Sequence, residues 1–480
     1  MARAVHALGW SIAGQLAVQA IRLAFGVALA RLLSPHEFGL LAMVSVLTQS
    51  VLSVADLGLE DALVQRRVLD EDDRSSIFWT TLAVGALLGL VTAAAAPAVA
   101  GFYDLDALRP LTIMLAALFL LEAIGTVPRA LLVRELDFRR TVGCESAGAV
   151  AGGVVAVVLA WRGFGVASLA VQALAGAAVE SLLLLGAAGW RPRLAFRFGA
   201  VRDLLRFGSN RAGTRALGYW SQHVDELLVG KLLGASALGL YGRACTLVRF
   251  PVLYVSRATA RVMFPALASF QDEPARVRDA YLRATGCVAL ATVPLCLGLL
   301  ATAEPFVLGL FGPQWAAMVP LVRILAVASV VQSITTLASS LYLSQGRADL
   351  HLRLNVFQTA VMLAATLVGQ RWGVTGAAVA YVVGSLVVTV PTLAIAGRLV
   401  GLELSDVLAR TAPILVAGVA MTVVVVALHA TVAADLPPLG ALALEAAAGG
   451  LVYGAAVHLF RMQPYLDAVA VLRRPAAAGD

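Results

Sequence analysis

Residues 210–247 read NRAGTRALGYWSQHVDELLVGKLLGASALGLYGRACTL, an apolar stretch interrupted at regular intervals by charged and polar residues. Four of these residues would share one face of a helix, because their spacing follows the helical period: Arg211, Arg215, Gln222 and Glu226. A shift of 200 residues aligns residues 230–247 with residues 30–47 without a gap. Identical pairs in this alignment are Leu32/Leu232, Leu33/Leu233, Gly39/Gly239, Leu40/Leu240 and Leu47/Leu247. We therefore predict an internal repeat of about 200 residues.

The helix that precedes the aligned segment carries a polar face in both copies. In the first copy this face comprises Ser11, Gln15, Gln19 and Arg22, which align with Arg211, Arg215, Tyr219 and Gln222. A few shared leucines could arise by chance in so apolar a chain, whereas a matched helix, turn and polar face is harder to obtain. The repeat therefore predicts two six-helix bundles related by a pseudo-twofold axis along the membrane normal.

The composition is typical of an integral membrane protein. Of the 480 residues, 60% are hydrophobic and 14% are charged, whereas soluble domains contain about 25% charged residues. The net charge of +7 does not indicate nucleic-acid binding, because most basic residues lie in short loops between apolar segments. The four cysteines have no CxxC spacing, so neither a disulfide framework nor a zinc site is expected.

Windows of about 20 apolar residues predict an all-α fold with about 14 transmembrane helices. The windows lie near 8–32, 39–64, 77–101, 109–132, 142–162, 165–189, 204–230, 236–264, 282–308, 318–343, 352–371, 374–397, 410–430 and 438–460. Together with the repeat, they predict four regions. These are an N-terminal six-helix lobe at 1–190, a cytoplasmic linker at 191–203, a C-terminal six-helix lobe at 204–400, and two additional helices with a cytoplasmic tail at 401–480.

The basic residues are distributed unequally over the predicted loops. The N-terminus and every second loop are rich in arginine, whereas the opposite side carries few basic residues: Arg31, Arg109, Arg162, Lys231 and Arg371. Since positively charged loops stay in the cytoplasm, both termini are predicted to be cytoplasmic.

Charged residues also occur inside the predicted spans. The basic ones are Arg22, Arg211, Arg215, Arg243, Arg249 and Arg323, and acidic ones in or near the spans are Asp56, Glu122, Glu145, Glu180, Asp225 and Glu226. An arginine at the centre of a span costs roughly 2.5–3.5 kcal/mol, so such residues usually face a cavity or a partner. Two interpretations stay open, namely structural ion pairs and a polar binding site. For Asp225 and Glu226 we favour capping or pairing near Lys231.

The binding-site interpretation is strongest for Arg22 and Arg215, since each lies on the polar face of the first helix of its repeat. Two such helices facing one another would line a central cavity with guanidinium groups, which bind phosphate oxygens in a bidentate fork. Further candidate cavity residues are Arg211, Gln15, Gln19, Gln222, Arg243 and Arg323. Tyr219 and Trp220 could stack on sugar rings, although an aromatic residue in a helix more often serves packing. Candidates for ion coupling or ion pairing are Asp56, Glu122, Asp225 and Glu226.

Motifs of common enzyme classes do not occur in the chain. The lysine of GKL at 230–232 is not followed by serine or threonine, so there is no Walker A loop. HExxH and GxSxG are also absent. We therefore expect no enzymatic activity, no catalytic residues, no metal site and no cofactor.

Several motifs resemble those of a known family. They include LARLLSPHEFGLLAMVSVLTQ (29–49), DLGLEDALVQR (56–66), LLVRELDFRR (131–140), DELLVGKLLGASALGLYGRA (225–244), RVMFPALASFQ (261–271) and FGPQW (311–315). The chain is similar to the Wzx-type polysaccharide flippases over about residues 8–400. The similarity is greatest to the WzxC-like branch of polysaccharide transporters in the MATE-related MOP superfamily.

The resemblance implies a multi-pass protein of the bacterial inner membrane that flips undecaprenyl-diphosphate-linked oligosaccharide to the periplasmic leaflet by alternating access. Its cargo would supply exopolysaccharide, capsule or O-antigen (lipopolysaccharide) biosynthesis. Expected partners are the lipid-linked oligosaccharide, membrane lipids and a polysaccharide polymerase complex, with no nucleic acid. A monomer is expected because the cleft would lie within one chain.

Two other transport functions stay open. A MATE-like cation-coupled exporter of small molecules should have an acidic cavity, whereas the predicted spans contain a surplus of arginine. A peptidoglycan lipid-precursor flippase would have the same fold, and the sequence does not distinguish its cargo. The coupling ion is likewise left open.

Overall fold

The computed structural model describes residues 2–55, 63 and 70–467, and it describes the side chains of residues 14–53, 63, 70–197 and 218–467. Within these ranges all regular elements are helical, and there is no strand. Ten helical stretches of the described residues are long and apolar enough to cross a membrane. The predicted all-α, multi-pass membrane fold is confirmed.

The contacts divide the chain into two compact units, of which the first, unit 1, is Met1–Gly239. Its helices are α1 (Ala2–Leu32), α2 (Pro35–Ala55), α3 (Glu71–Ala94), α4 (Ala96–Tyr103), α5 (Leu108–Arg134), α6 (Phe138–Trp161), α7 (Val166–Ala187) and the first part of α8 (Phe198–Ser269). The most extensive packing is between α3 and α5, α1 and α6, α5 and α7, and α6 and α7.

The second unit, unit 2, is Leu240–Asp480 and begins with the remainder of α8. Its further helices are α9 (Pro274–Ala301), α10 (Ala303–Phe306), α11 (Val319–Thr335), α12 (Ala338–Ser344), α13 (Ala348–Gly369), α14 (Gly373–Val400), α15 (Leu404–Thr431) and α16 (Pro438–Leu459). A π-helical turn, Val307–Phe311, follows α10 directly. The most extensive packing is between α9 and α11, α9 and α15, α11 and α14, α13 and α14, and α15 and α16.

Three packing pairs recur at equivalent positions of the two units. The pairs α3–α5, α5–α7 and α6–α7 of unit 1 correspond to α9–α11, α11–α14 and α13–α14 of unit 2. This recurrence supports the repeat predicted from the sequence. The predicted boundaries of the lobes and of the linker at 191–203 stay predictions.

Every predicted span overlaps a helix, although several predicted spans are merged or interrupted. The predicted spans 204–230 and 236–264 form one continuous element, α8, which has a non-helical residue at Gly234 with φ 85° and ψ 178°. Glycine adopts a positive φ without steric cost, so the chain changes direction there without a loop. The predicted span 77–101 is divided at Ala95 between α3 and α4.

The turn between α1 and α2 is fixed by a reciprocal cap. The Glu37 carboxylate accepts hydrogen bonds from the Ser34 backbone N–H at 2.7 Å and from the Ser34 hydroxyl at 2.9 Å. In return, the Glu37 backbone N–H donates to Ser34 Oγ at 3.4 Å. Pro35 is the first residue of α2, a position where its missing N–H is not needed.

Two glycines of the repeat allow backbones to meet directly within unit 1. A Cβ at Gly39 would overlap the carbonyl oxygen of Ala235, and a Cβ at Gly239 would overlap the carbonyl oxygen of Pro35. Gly39 and Gly239 are equivalent under the shift of 200 residues, and so are Pro35 and Ala235. The two contacts are therefore reciprocal, as expected where a duplicated element meets its copy.

A side-chain contact joins a further equivalent pair at the same place. The Ser236 hydroxyl lies 3.4 Å from Nδ1 of His36, and these two residues are also 200 positions apart. We call residues 35–39 together with residues 235–239 the glycine crossing. Its symmetry explains why both copies retain a glycine at this position.

Small residues also determine how closely α6 and α7 approach. A Cβ at Gly152 would lie 2.5 Å from the carbonyl oxygen of Gln172 and 3.0 Å from the backbone nitrogen of Gly176. Membrane helices associate mainly through such close packing, because lipid supplies no hydrophobic driving force between them.

We expect Gly152→Val to destabilise unit 1, because the added methyl groups would force α6 away from α7. Overpacking of this kind costs about 1–3 kcal/mol. Gly143→Val is the matched control on the same helix, since a Cβ there meets nothing within 4 Å. Thermal unfolding of the detergent-purified variants measures the effect. Equal melting temperatures of the two variants would contradict the packing argument.

Candidate functional site

Five charged side chains of unit 1 meet between four helices. Arg22 of α1 binds Glu145 of α6, with Nη2 to Oε1 at 3.0 Å. Arg129 of α5 binds Glu180 of α7, with Nη2 to Oε1 at 2.7 Å, and its Nη2 lies 4.0 Å from Oε2 of Glu122. Glu180 also interacts electrostatically with Glu145 and Arg22, so the two ion pairs are coupled. We call these five residues the unit 1 charge cluster.

The unit 1 charge cluster contains three carboxylates and two guanidinium groups. With every group ionised, it has one negative charge in excess. Glu180 and Arg129 are largely withdrawn from the surface, with 16% and 31% of their side chains exposed.

Arg129 lies within the predicted span 109–132 but is not among the charged residues expected inside the spans. The structure places it inside α5, five residues before the helix ends at Arg134. The helix is longer than its apolar core because Arg129 is neutralised by Glu180 from the neighbouring α7. A glutamate in the middle of an apolar span, as Glu180 is, was the available signal that a buried cation lies opposite.

A cavity of about 410 Å³ lies beside this cluster within unit 1. Glu122 and Arg129 of α5 line it together with Tyr219 of α8. The rest of the lining is partly neutral and polar (Gln49, Ser53, Thr81 and Thr126) and partly apolar (Leu52, Gly85, Phe119 and Ala123). Unit 1 thus has a chamber of mixed polar and apolar lining, with a carboxylate and a guanidinium at its wall.

Arg22 reaches a carboxylate, while the neighbouring polar residues of α1 stay accessible. About half of the Arg22 side chain is exposed (52%), although one of its nitrogen atoms is engaged by Glu145. Gln15 is exposed and Gln19 is half-buried. Pairing with Glu145 reduces the attraction of Arg22 for another anion, as the ion-pair interpretation of these charges expects.

Three predicted residues lie outside what the structure describes. The backbone of α8 includes Arg211 and Arg215, but their side chains lie outside the described residues. Asp56 lies outside the described residues altogether. Their predicted roles therefore stay predictions.

Tyr219 serves packing inside unit 1. Its hydroxyl donates to the carbonyl oxygen of Val46 at 2.9 Å, and its ring stacks on His223 with centroids 4.5 Å apart. Trp220 is half-buried and meets the Tyr219 ring edge-on at 5.8 Å. One face of Tyr219 is thus occupied by His223, which favours the packing interpretation for this residue.

The polar residues that follow on α8 differ in burial. Gln222 is exposed, Asp225 is buried, and Glu226 is half-buried with Oε2 3.4 Å from Nδ1 of His223. Lys231 binds Asp104, which ends α4, with Nζ to Oδ2 at 2.7 Å. This ion pair ties α8 to the end of α4.

Two charged candidates of unit 2, Arg323 and Arg249, have partners within that unit. Arg323 of α11 binds Glu304 of α10 at 3.3 Å, and Arg243 is half-buried in α8. Arg249 donates to the Tyr381 hydroxyl at 2.7 Å, and its guanidinium carbon lies 5.1 Å from the centroid of that ring. Gln332 also donates to the Tyr381 hydroxyl, at 2.8 Å. Sequence reasoning had identified the arginines but not the tyrosine and glutamine that orient Arg249.

Within the described ranges, no group of three or more His, Cys, Asp and Glu side chains is placed to hold a metal ion. The polar sites of both units consist of ion pairs and hydrogen bonds. Sites of this kind can bind charged groups and protons.

Comparison with known proteins gives a family and relatives. The model of a family described as "Polysaccharide biosynthesis protein" matches residues 28–320. The teichuronic acid biosynthesis protein TuaB of Bacillus subtilis is 29% identical over 307 residues, which are 62% of this chain and 62% of TuaB. The lipopolysaccharide biosynthesis protein WzxC of Escherichia coli is 26% identical over 390 residues, 79% of this chain and 78% of WzxC. The match thus spans less than two thirds of TuaB but more of WzxC.

Solved structures share the fold at low sequence identity. The lipid II flippase MurJ in an inward closed conformation superposes with a TM-score of 0.75 at 12% identity, covering 95% of this chain and all of MurJ. An inward-facing multidrug resistance MATE transporter of the MOP superfamily superposes with a TM-score of 0.64 at 18% identity, covering 80% of this chain and 94% of the transporter. At such identities these likenesses establish the fold alone.

Proposed function

Because this chain belongs to the polysaccharide biosynthesis protein family, we propose that it flips undecaprenyl-diphosphate-linked oligosaccharide across the bacterial inner membrane by alternating access. The observation that carries this proposal is the family match over residues 28–320, which agrees with the resemblance inferred from sequence motifs. The names of TuaB and WzxC refer to teichuronic acid and lipopolysaccharide biosynthesis. The cargo proposed here is accordingly a precursor of an exported polysaccharide.

The fold agrees with transport. Membrane helices with ion pairs inside them are typical of proteins that carry a polar group across the bilayer. The fold is shared with a flippase and with an exporter, neither of which is named as an enzyme. Our proposal assigns no enzymatic role to the chain.

Location and partners follow from the same proposal. We propose the bacterial inner membrane as the location, with both termini in the cytoplasm, as the arginine distribution favours. Partners would be the lipid-linked oligosaccharide, surrounding lipids and a polysaccharide polymerase complex. We propose that the protein acts as a monomer.

Complementation tests the function directly. The gene is expressed in a host that lacks its own polysaccharide flippase, and surface polymer is measured together with accumulation of the lipid-linked precursor. Restored polymer with loss of the accumulated precursor is expected. A correctly inserted protein that restores no polymer in hosts of several polymer types would contradict the proposal.

For cargo binding we propose Arg22 and Arg215 as contacts to the diphosphate. The half-exposed guanidinium of Arg22 keeps donors beyond the one that Glu145 engages. Gln15 and Gln19 lie on the same helix and extend a polar surface toward the sugar. In this proposal Glu145 holds Arg22 in place between transport cycles and yields to the phosphate oxygens when cargo arrives.

We expect Arg22→Gln to lower polymer export by roughly 10–100-fold, the loss that removal of one charged hydrogen bond of about 1.5–3 kcal/mol would cause. The double variant Arg22→Gln/Glu145→Gln separates binding from structure. If the ion pair has only a structural role, two neutral partners can replace it, and export should recover in the double variant. If Arg22 contacts cargo, the double variant stays defective while membrane insertion is normal. Recovery of export would remove Arg22 from the cargo site.

One observation favours a second candidate, a MATE-like cation-coupled exporter. The unit 1 charge cluster has an excess of carboxylate beside a polar cavity, whereas the sequence argument had expected arginine to prevail. Drug-resistance assays run beside the polymer assays distinguish the two functions. Rescue of a strain depleted of its peptidoglycan-precursor flippase tests the remaining alternative cargo.

A further inference from the structure

A buried acid–base pair lies in the two helices that follow the predicted second lobe. His429 is in the last turn of α15, and Glu445 is in the third turn of α16. Nδ1 of His429 lies 2.6 Å from Oε1 of Glu445. The Glu445 side chain is fully buried (0% exposed), whereas 33% of the His429 side chain is exposed. Neither residue was among the candidates selected from the sequence.

The hydrogen bonding of Glu445 is incomplete. Oε1 is bonded to His429, but Oε2 is buried and has no hydrogen-bond partner in the part of the chain that the structure describes. A buried carboxylate with an unsatisfied oxygen is costly when it is ionised. With a neutral imidazole the pair has a net charge of −1, and uptake of one proton makes it neutral.

Few other ionisable groups on the surrounding elements could take this proton. α15 packs on α9, where Cys296 is buried, and α16 packs on α10, where Glu304 is already bound to Arg323. The short turn between α15 and α16 contains Asp435, which is exposed. On α16 itself, the Tyr453 hydroxyl donates to the carbonyl oxygen of Leu290. The described structure thus gives Glu445 a single ionic partner, His429.

The pair is placed where a small movement would reach the rest of unit 2. The first residues of α16 touch the π-helical turn Val307–Phe311, and a Cβ at Gly309 would lie 3.1 Å from Cδ2 of Leu439. Glu445 follows Pro438 by two helical turns on the same helix. Single π turns are rare and are frequent at functional sites. A change in the contact between α15 and α16 would therefore be passed to the element that follows α9.

We propose that His429 and Glu445 form a proton-binding site whose loading and release couple transport to a proton gradient. One proton binds to the pair from one side of the membrane and is released to the other side. The only bond that forms and breaks is the bond between the pair and this proton. The coupling part of the inference rests on the proposed transport function. The proton-binding part does not, since it concerns only the two side chains.

The first experiment measures proton binding without cargo. The purified protein is titrated over about pH 4–9, the range in which carboxyl and imidazole groups exchange protons, while the infrared C=O band of protonated carboxyl groups is followed. A titrating band is expected that is lost in Glu445→Gln and shifted in His429→Gln. Glu304→Gln is the matched control and should keep the band. A band that is unchanged in Glu445→Gln would overturn the proposal.

The second experiment measures coupling in proteoliposomes, with undecaprenyl diphosphate carrying a fluorescent sugar as the probe. In the wild type, an imposed pH difference of one unit should change the rate of probe movement by up to about tenfold for one proton per cycle. The rate of Glu445→Gln should not respond. A full response in this variant would overturn the coupling. If the wild type moves no probe although its carboxyl band titrates, the proposed function fails and the proton site stands.

Discussion

Replacement of Gly39 by valine is expected to abolish polymer export and to reduce the amount of folded protein. The carbonyl oxygen of Ala235 occupies the space that a Cβ at Gly39 would need. A backbone oxygen cannot be moved aside as the end of a flexible side chain can, so the whole glycine crossing would have to separate. Overpacking in a well-packed interior costs about 1–3 kcal/mol, and displacement of a backbone places this variant at the upper end.

The repeat gives this prediction two internal comparisons. Gly239→Val should have the same effect, because its Cβ would overlap the carbonyl oxygen of Pro35 in the reciprocal contact. Gly26→Val should be close to wild type, since a Cβ at Gly26 meets nothing within 4 Å. Export is measured by complementation, and folding by fluorescence-detected gel filtration. Normal export by Gly39→Val would show that the glycine crossing is not a tight contact in the membrane.

Arg129→Ala is expected to have the second largest effect. It removes the cation bound to Glu180, whose side chain is largely buried between α5 and α7. A charge left buried without its partner costs roughly 3 kcal/mol or more. Because this pair is partly exposed, we expect the free energy of unfolding to fall by about 3 kcal/mol. The unit 1 charge cluster would then hold three carboxylates and one guanidinium.

A second substitution tests whether charge is the reason. Arg129→Ala/Glu180→Gln removes the isolated carboxylate and should regain most of the stability lost in the single variant. Arg140→Ala is the control, because this arginine is largely exposed and its ion pair with Asp137 should contribute little. Thermal unfolding in detergent measures all three variants. A stable single variant, or a double variant no better than the single one, would contradict the assigned role of Arg129.

The multi-pass membrane fold, the helical class and the family could be predicted because they depend on local properties of the chain. Apolar windows of membrane length define helices wherever they occur, and every predicted window overlaps a helix. The turn at 33–37 could likewise be expected from its residues, since Ser34 and Glu37 satisfy each other locally. The break at Gly234 was anticipated as a loop but not as a single residue within α8. Its geometry depends on one positive φ, which a hydropathy window does not register.

Partners across helices could not be predicted in the same way. The helical spacing placed Arg22 on a polar face, yet only packing of α1 against α6 brought it to Glu145. The main partner of Arg129 could not be inferred from the sequence either, since Glu180 is 51 residues away. His429 and Glu445 were missed for a similar reason, since each occurs singly in an apolar span.

The sequence by itself therefore determined that the chain crosses the membrane many times, that it contains a repeat, and which family it resembles. These properties follow from hydrophobicity, spacing and motif, all of which are read along one chain. Tertiary structure decided which charges neutralise one another, where a polar cavity lies in unit 1, and where a carboxylate is buried. Those outcomes depend on distances between helices, and the free energy of a charge in the bilayer depends on its nearest partner in space.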